Sequence, residues 1–466
     1  LSPAERVGSG ARRVVRHGRR NLVGWGRTAP TAAEVVGLVD LDAVRDALGR
    51  ADRGVLGRGL GRSYGDGAQN AGGVVADGTT AVGISEFDPT TGRITARAGT
   101  SLEQLMTWLV PEGWFVPVTP GTRQVTVGGA IAADIHGKNH HQAGSWCNHV
   151  ESFRLLCGDG EVRDVHRDRD PDVFWATAGG MGLTGVILDA TFTMKPIETS
   201  RLLVDTDRAD DLDAVMALMV EGDADYDYSV AWIDIMSGGR AMGRSVLDRG
   251  RFARADELPR KLADDPLRFV SNSLGSFPPI APSGLINPST VRAFNELWFR
   301  KAPARRRDAV QTITQFFHPL DLVQEWNRVY GPTGFLQWQY VVPDEAGEVV
   351  RRTLQELSRS GLAPSFLAVL KRMGDANPGH LSFPSRGWTL AFDTPVGNPE
   401  LNVLLDRLDD EVVAAGGRIY LAKDSRVDPR HLPAMYPRLA EWREVRDRLD
   451  PEGRIRSDLG RRLDLC

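Results

Sequence analysis

Three glycine-rich segments, GRGLGRSYGDG (57–67), PGTRQVTVGGAIAADIHGKN (120–139) and TAGGMGLTGVI (177–187), constrain this chain more than any other feature. Glycine lets consecutive backbone N–H groups converge into a concave nest that holds an anion. One such segment is an ordinary turn between strands. Three of them, separated in sequence and each beside a strand-like run, could wrap one extended dinucleotide. The first contains GxGxG, yet the polar, glycine-broken RSYGDGAQNAGG follows where a dinucleotide-binding helix would have to begin. No GK[ST] follows either, which excludes a P-loop.

Around these segments short strands alternate with capped helices. GRITARAG (92–99) places Ile94, Ala96 and Ala98 on one face. SLEQLMTWL then offers Ser101 as N-cap and Gln104 at the capping-box position, with Leu102, Leu105, Met106 and Leu109 at helical spacing. ESFRLLCGDGEVRDV reads as a hairpin around Gly158-Asp159-Gly160. Asp170-Pro171 caps a short helix that runs to Gly179-Gly180, and GVILDATFTM (185–194) returns as a strand. Beyond Pro196 a new α+β unit begins at RLLVDTDRADDLDAVMALMVEG, with aromatic residues in alternating runs such as TQFFHPL and GFLQWQYVV. Residues 271–290, rich in Pro, Gly and Ser, read either as a lid or as a disordered insertion.

A chain of 466 residues exceeds one ordinary core, so two domains are expected. A formal charge of −4 gives no reason to expect nucleic acid and favours a small-molecule partner. Cys147, Cys157 and Cys466 make no disulfide framework, which fits a reducing compartment. No apolar run is long enough to span a bilayer, and the basic N-terminus lacks the apolar stretch of a signal peptide; a soluble, cytoplasmic protein is the expectation.

Basic residues are overwhelmingly arginine. The lysines are Lys138, Lys195, Lys261, Lys301, Lys371 and Lys423. Against that background a lysine in a special segment is a candidate for chemistry, because its pKa can shift where that of arginine cannot. Lys138 stands in DIHGKNHHQAGSWCNH (134–149) among His136, His140, His141 and His149. Four imidazoles could be metal ligands, but Gly137 and Asn139 are poor helix residues and the spacing fits no standard ligand pattern. No metal is assigned.

GWGRTAP (24–30), GLGRSYGD (59–66), PGTRQVTVGGAIA (120–132), DIHGKNHH (134–141), GLTG (182–185) and AKDSR (422–426), in this order and spacing, resemble the vanillyl-alcohol-oxidase (PCMH-type) family of FAD-binding proteins. Within it they are similar to the decaprenylphosphoryl-β-D-ribose 2-oxidases, over nearly the whole chain. The resemblance implies an α+β fold of two domains, with an FAD-binding domain formed by 1–197 and 418–466 and a substrate-binding domain, 198–417, inserted between them. It implies FAD bound by Gly57, Arg58, Gly59, Leu60, Gly61, Arg62, Ser63, Tyr64, Gly65 and Asp66. From the second segment it adds Gly121, Thr126, Val127, Gly128, Gly129, Ala133, Asp134, Ile135 and His136, and from elsewhere Ile187, Tyr420 and Lys423. Lys423, His136 and Lys138 are the implied catalytic residues, and Lys138, Trp232, Phe317, Gln337, Gln339, Lys371, Thr389 and Ala391 the implied substrate pocket.

The activity so implied is FAD-dependent oxidation of the ribose 2-hydroxyl of a decaprenylphosphoryl sugar. A separate short-chain dehydrogenase would then reduce the keto product toward the arabinose donor of cell walls. Peripheral membrane or periplasmic placement belongs to the same expectation. Thr389, Ala391, Phe317 and Met373 depart from the residues that well-known members carry, so another sugar or a nucleoside stays open as substrate. A histidine-rich metal- or nucleotide-binding protein without redox chemistry stays open as a different class. Lys423 could act as a neutral base or as a fixed cation. Covalent attachment in this family often uses a histidine where this chain has Arg62, and a guanidinium cannot form that bond. The flavin is therefore expected to dissociate: acid precipitation should leave the yellow colour in the supernatant, and colour kept in the pellet would contradict the reading.

Overall fold

The computed structural model describes residues 17–271, 273–278 and 284–466. Strands β1 (Gly18–Leu22), β2 (Thr31–Gly37), β3 (Val55–Arg58) and β4 (Val74–Asp77) form a sheet in the order β1-β2-β4-β3. Because β3 and β4 run parallel, the chain needs a crossover between them, and the first glycine segment begins that crossover. A second sheet has the order β5-β6-β9-β7-β8, from β5 (Ile84–Phe87), β6 (Arg93–Arg97), β7 (Val150–Leu156), β8 (Val162–His166) and β9 (Val186–Thr193). Helix α1 (Leu102–Leu109) carries the expected capping box of Ser101 and Gln104, and its four apolar residues are buried.

The third sheet holds eight strands: β10 (Arg201–Ala209), β11 (Tyr228–Ile233), β12 (Ser245–Phe252), β13 (Arg305–Thr312), β14 (Phe335–Val342), β15 (Ala368–Met373), β16 (Gly387–Pro395) and β17 (Arg418–Ile419). Their order is β13-β10-β12-β11-β15-β16-β14-β17. Side chains alternate between the two faces of a strand, and residues directly opposite on neighbouring strands share a face. Trp338, Tyr340, Leu370, Leu390 and Phe392 are buried on one face. There Trp338 Nε1 donates to Asp409 of a helix over Pro399–Ala414 at 2.7 Å, and the Tyr340 hydroxyl donates to Thr353 of a helix over Gly347–Ser360 at 3.3 Å. Burying each such large side chain contributes about 2 kcal/mol. The register puts Gln337, Gln339, Lys371, Thr389, Ala391 and Asp393 on the opposite face.

Several local expectations are corrected. Within the second glycine segment Val127–Ala132 is a short helix, α2, capped by the Thr126 hydroxyl, which accepts from the Gly129 N–H. TQFFHPL is no strand: Ile313–Phe317 is helical because Thr312 and Gln315 form a capping box that outweighs the apolar alternation. Asp170 sits at the N-cap of Pro171–Thr177, but its carboxylate accepts from the His166 N–H, and the helix stops short of Gly179. In 271–290, Gly275–Ser276 pairs with Val323–Gln324 and Asn287 caps a helix over Pro288–Lys301. The lid reading also falls on 272 and 279–283, which lie outside the described residues.

Asp134 pins the turn after α2. It has a left-handed backbone (φ 38°) and no exposed surface. Its carboxylate accepts from Ser145 Oγ at 2.8 Å, the Cys147 N–H at 2.9 Å, Asn377 Nδ2 at 2.6 Å and Ser382 Oγ. Asp134→Asn keeps a residue that tolerates this backbone but turns one acceptor into a donor facing donors. Denaturant unfolding should show a loss of roughly 2 to 3 kcal/mol, with secondary structure retained.

Candidate functional site

The three glycine segments meet. A side chain on Gly59 would come within 2.1 Å of Thr126 Oγ1, so only glycine permits that approach of the first segment to the second. The third joins the second through Gly179 N–H to Ile131 O at 3.0 Å and Met181 N–H to Ala132 O at 2.8 Å. In the first segment the N–H groups of Leu60, Gly61, Arg62 and Ser63 donate to no partner among the described residues, and Gly61 has φ +65°. Consecutive unpaired donors around a left-handed glycine form a nest suited to a phosphate.

The charged residues of that loop divide by role. Arg58 donates to the carbonyls of Val23 (2.8 Å) and Ala68 and so braces the loop. The Arg62 guanidinium lies 4.0 Å over the Trp25 ring, and its Nε has no partner among the described residues. Asp66 accepts a bidentate pair from Arg462 at 2.8 and 2.9 Å, and Arg462 also donates to Asp424 at 2.8 Å. Together with Tyr64 N–H to Ala422 O at 3.0 Å, this guanidinium ties the glycine loop to the AKDSR segment. Gly65 is obligatory there, since a Cβ would stand 2.1 Å from Asp424 O.

Above the polar face of the eight-stranded sheet, Lys138, Lys371 and Lys423 gather around His136. Lys371 Nζ is 3.0 Å from His136 Nδ1, and Gln339 Nε2 is 3.1 Å from His136 Nε2 and 3.1 Å from Thr389 Oγ1. Burial first, and then Lys371, His140 and Lys423, hold the imidazole well below its usual pKa. A neutral imidazole has one N–H. With the Gln339 amide donating to Nε2, the Nδ1–H must donate to an uncharged Lys371 amine. Burial and the two other lysines bring Lys371 down to about 7, which makes that neutral state accessible.

Burial also lowers Lys423 to about 8, against a raising influence from Asp393. Its Nζ rests 3.9 Å over the Tyr64 ring. Lys138 is lowered to about 8 by burial, opposed by Asp248, and donates to Phe316 O while lying 4.2 Å over the Phe316 ring. Tyr420 donates from its hydroxyl to Ala133 O at 2.9 Å and its ring packs 5.5 Å from that of His136, so it joins the sheet edge to the second glycine segment. Trp232 Nε1 donates to Phe366 O at 3.0 Å, and Ala391 stands between Gln339 and Val369 in register. Phe317 packs instead among Phe115, Tyr228 and Phe252, leaving Phe316 beside Lys138. Ile187 is buried on β9, and Gly121 faces open space.

One residue escaped the sequence reading. Asp393 is fully buried, accepts from Gln337 Nε2, and leaves Oδ2 without a partner among the described residues. Burial raises its pKa to about 7, opposed by Gln337 and Lys423. Gln337 Nε2 also lies 3.3 Å from the Tyr64 hydroxyl. The signal was the strand period: Thr389, Ala391 and Asp393 occupy alternate positions of one strand.

The remaining histidines of 134–149 disperse. His140 Nδ1 accepts from the Gly374 N–H at 3.1 Å, while His141 and His149 each place Nε2 2.9 Å from a backbone carbonyl, of Tyr226 and Ala143. Each imidazole has its own partner, so they share no ligand-holding geometry. The site as a whole is a basic enclosure with two carboxyl groups, Asp393 near Lys423 and Asp248 near Lys138, next to a backbone nest. It can take an anionic cofactor and move a proton near neutral pH.

A family model described as FAD binding domain matches residues 33–166, and one described as D-arabinono-1,4-lactone oxidase matches residues 395–463. The decaprenylphosphoryl-beta-D-ribose oxidase of Mycolicibacterium smegmatis is 48% identical over 452 residues, covering 96% of this chain and 98% of that protein. A Streptomyces coelicolor protein, the uncharacterized protein in the mprA 5' region, is 41% identical over 78% of this chain and 100% of its own length. The D-arabinono-1,4-lactone oxidase of Saccharomyces cerevisiae is 27% identical over 22% of this chain and 19% of that protein.

The lowered Lys371 has a stability consequence. Folded, it loses its proton near pH 7, whereas an unfolded chain keeps it to about 10.4. Between those values the unfolded state binds more protons, so stability rises with pH. Thermal unfolding of Lys371→Met should rise less steeply with pH over that window than that of the unaltered protein, and an unchanged slope would show Lys371 to be freely solvated.

Proposed function

The chain belongs to the decaprenylphosphoryl-β-D-ribose oxidase family and is an FAD-dependent oxidoreductase; from that premise we propose that it oxidises the ribose 2-hydroxyl of decaprenylphosphoryl-β-D-ribose to the 2-keto sugar. The observation that carries the reading is the enclosure of Lys423, Lys371, Lys138 and His136, with Lys423 near neutrality and Asp393 beside it. FAD, when bound, supplies the acceptor for the hydride that leaves the carbinol carbon. The residues present fit it: the unpaired N–H groups of 60–63 and the half-buried Arg62 suit the pyrophosphate. The basic enclosure suits the negative charge that accumulates on reduction.

Lys423 Nζ, as the free amine, accepts the hydroxyl proton. The resulting ammonium is stabilised by the Tyr64 ring face and by Asp393. Gln337 holds that carboxyl through Oδ1, and so positions it. Lys138 offers positive charge to the phosphoryl group of the sugar, Lys371 as the neutral amine offers N–H donors to its hydroxyl groups, and His136 with Gln339 and Thr389 orients Lys371. In this reading residues 1–197 and 418–466 bind FAD and 198–417 bind substrate, with β17 closing the edge of the substrate sheet. The keto product calls for a short-chain dehydrogenase to reduce it. No helix among the described residues is long and apolar enough to cross a membrane.

Anaerobic mixing with polyprenyl-phosphoryl ribose should bleach the flavin, while free ribose and nucleosides should not; the reverse pattern would replace the proposed substrate. Lys423→Ala should purify yellow and bleach about a hundredfold to a thousandfold more slowly. Lys423→Arg should stay equally slow, because its guanidinium cannot accept the proton. Substantial rescue by arginine would mean that charge, not basicity, is what Lys423 contributes.

A further inference from the structure

One short stretch of the part assigned above to substrate, 312–327, reaches across to the glycine segments. Asp321 is half-buried, and its carboxylate brackets a single turn of the second segment. Oδ1 accepts from Thr122 Oγ1 at 2.8 Å, and Oδ2 accepts from the Arg123 N–H at 2.8 Å. His318 Nε2 lies 2.7 Å from Thr119 Oγ1, and both side chains are buried. Thr314 Oγ1 accepts from Arg123 Nη1 at 3.1 Å. Between these points Gly121 faces open space, so the turn 119–123 is fixed by hydrogen bonds from outside and not by packing of its own.

The same stretch faces the first glycine segment. Burial lowers the pKa of Arg62, opposed by Glu325 and Asp321. The Trp25 ring beneath the Arg62 guanidinium meets Trp326 edge to face at 5.9 Å, and Asn327 Nδ2 donates to Trp25 O at 2.9 Å. Arg62 and the turn 119–123 belong to different glycine segments, yet both answer to one carboxylate. A negative group beside an anion-binding nest disfavours the anion by its charge alone. Asp321 therefore serves that nest by what it holds in place: charge-assisted bonds are short and directional, so they set the spacing of the two walls.

We infer that Asp321 is a positioning residue for FAD, which fixes Arg62 and the turn 119–123 at the spacing that receives the cofactor's pyrophosphate. The inference rests on the pyrophosphate placement proposed above and holds whichever sugar is oxidised. It makes retention of FAD depend on a residue from the part of the chain that binds substrate.

The test dilutes the holoenzyme and follows free-flavin fluorescence as FAD leaves, while tryptophan fluorescence reports thermal unfolding of the FAD-free protein. Asp321→Asn is nearly isosteric but removes the charge and one acceptor, and should release FAD roughly tenfold to a hundredfold faster. The unfolding temperature of the FAD-free protein should not change. Thr122→Val removes one donor to the same bracket and should release FAD roughly threefold to tenfold faster; should Asp321→Asn fail to fold, this variant decides. Combining the two should accelerate release by less than the product of the separate factors, since they break one bracket. Slower release from Asp321→Asn would show that its charge merely repels the pyrophosphate, and would overturn the inference. A fall in the unfolding temperature large enough to account for the faster release would overturn it too. Arg62→Met, measured alongside, separates the two readings. If it releases FAD faster while Asp321→Asn does not, the pyrophosphate placement stands and Asp321 is not its positioning residue. Unaltered release from Arg62→Met would overturn the placement itself, and the inference with it.

Discussion

Three lysine amines and an imidazole, held close together beside the buried carboxyl groups of Asp393 and Asp248, set the terms for everything around them. Like charges in a low-dielectric enclosure disfavour their own ionisation, and Lys371, Lys138 and Lys423 are each lowered mainly by burial. Such a cluster is tolerable where some of its members give up their protons or where an anion shares the space. Both conditions serve an oxidation: a free amine can take a proton, and the remaining cations can face accumulating negative charge. Asp393 is the counterweight that keeps Lys423 within reach of neutral pH.

The eight-stranded sheet makes that cluster possible. Its strands alternate so that Trp338, Tyr340, Leu390 and Phe392 close a core against helices, while the intervening Gln337, Gln339, Thr389, Ala391 and Asp393 form a polar floor. A helix-covered face supplies rigidity, and the polar face inherits it: each site residue is one position away from a buried anchor. The glycine segments form the other wall. Their mutual contacts, together with Arg462 bridging Asp66 and Asp424, join the beginning and end of the chain at the same place.

Much of this was legible in particular residues. Ser101 and Gln104 marked a helix start, the rarity of lysine drew attention to Lys138 and Lys423 in their special segments, and the family resemblance added Lys371. Where local signals competed, the alternation in TQFFHPL was misleading and the capping pair Thr312 and Gln315 prevailed, because two reciprocal hydrogen bonds formed within one turn are available before any sheet neighbour is. Phe317 was placed at the substrate mouth from its motif, yet one residue of helical rotation sends it into the core and brings Phe316 to Lys138.

Composition, spacing and motif order alone determined the glycine nests, the strand and helix alternation and the special lysines, since these depend on backbone freedom and on periodicities written along the chain. Only the tertiary structure decided that His136 bonds to Lys371 and not to its sequence neighbours, and that Asp393 belongs to the site. The reason is physical. A pKa or a hydrogen-bond partner is a property of what surrounds a side chain, and those surroundings come from segments hundreds of residues apart that meet only when the sheets close.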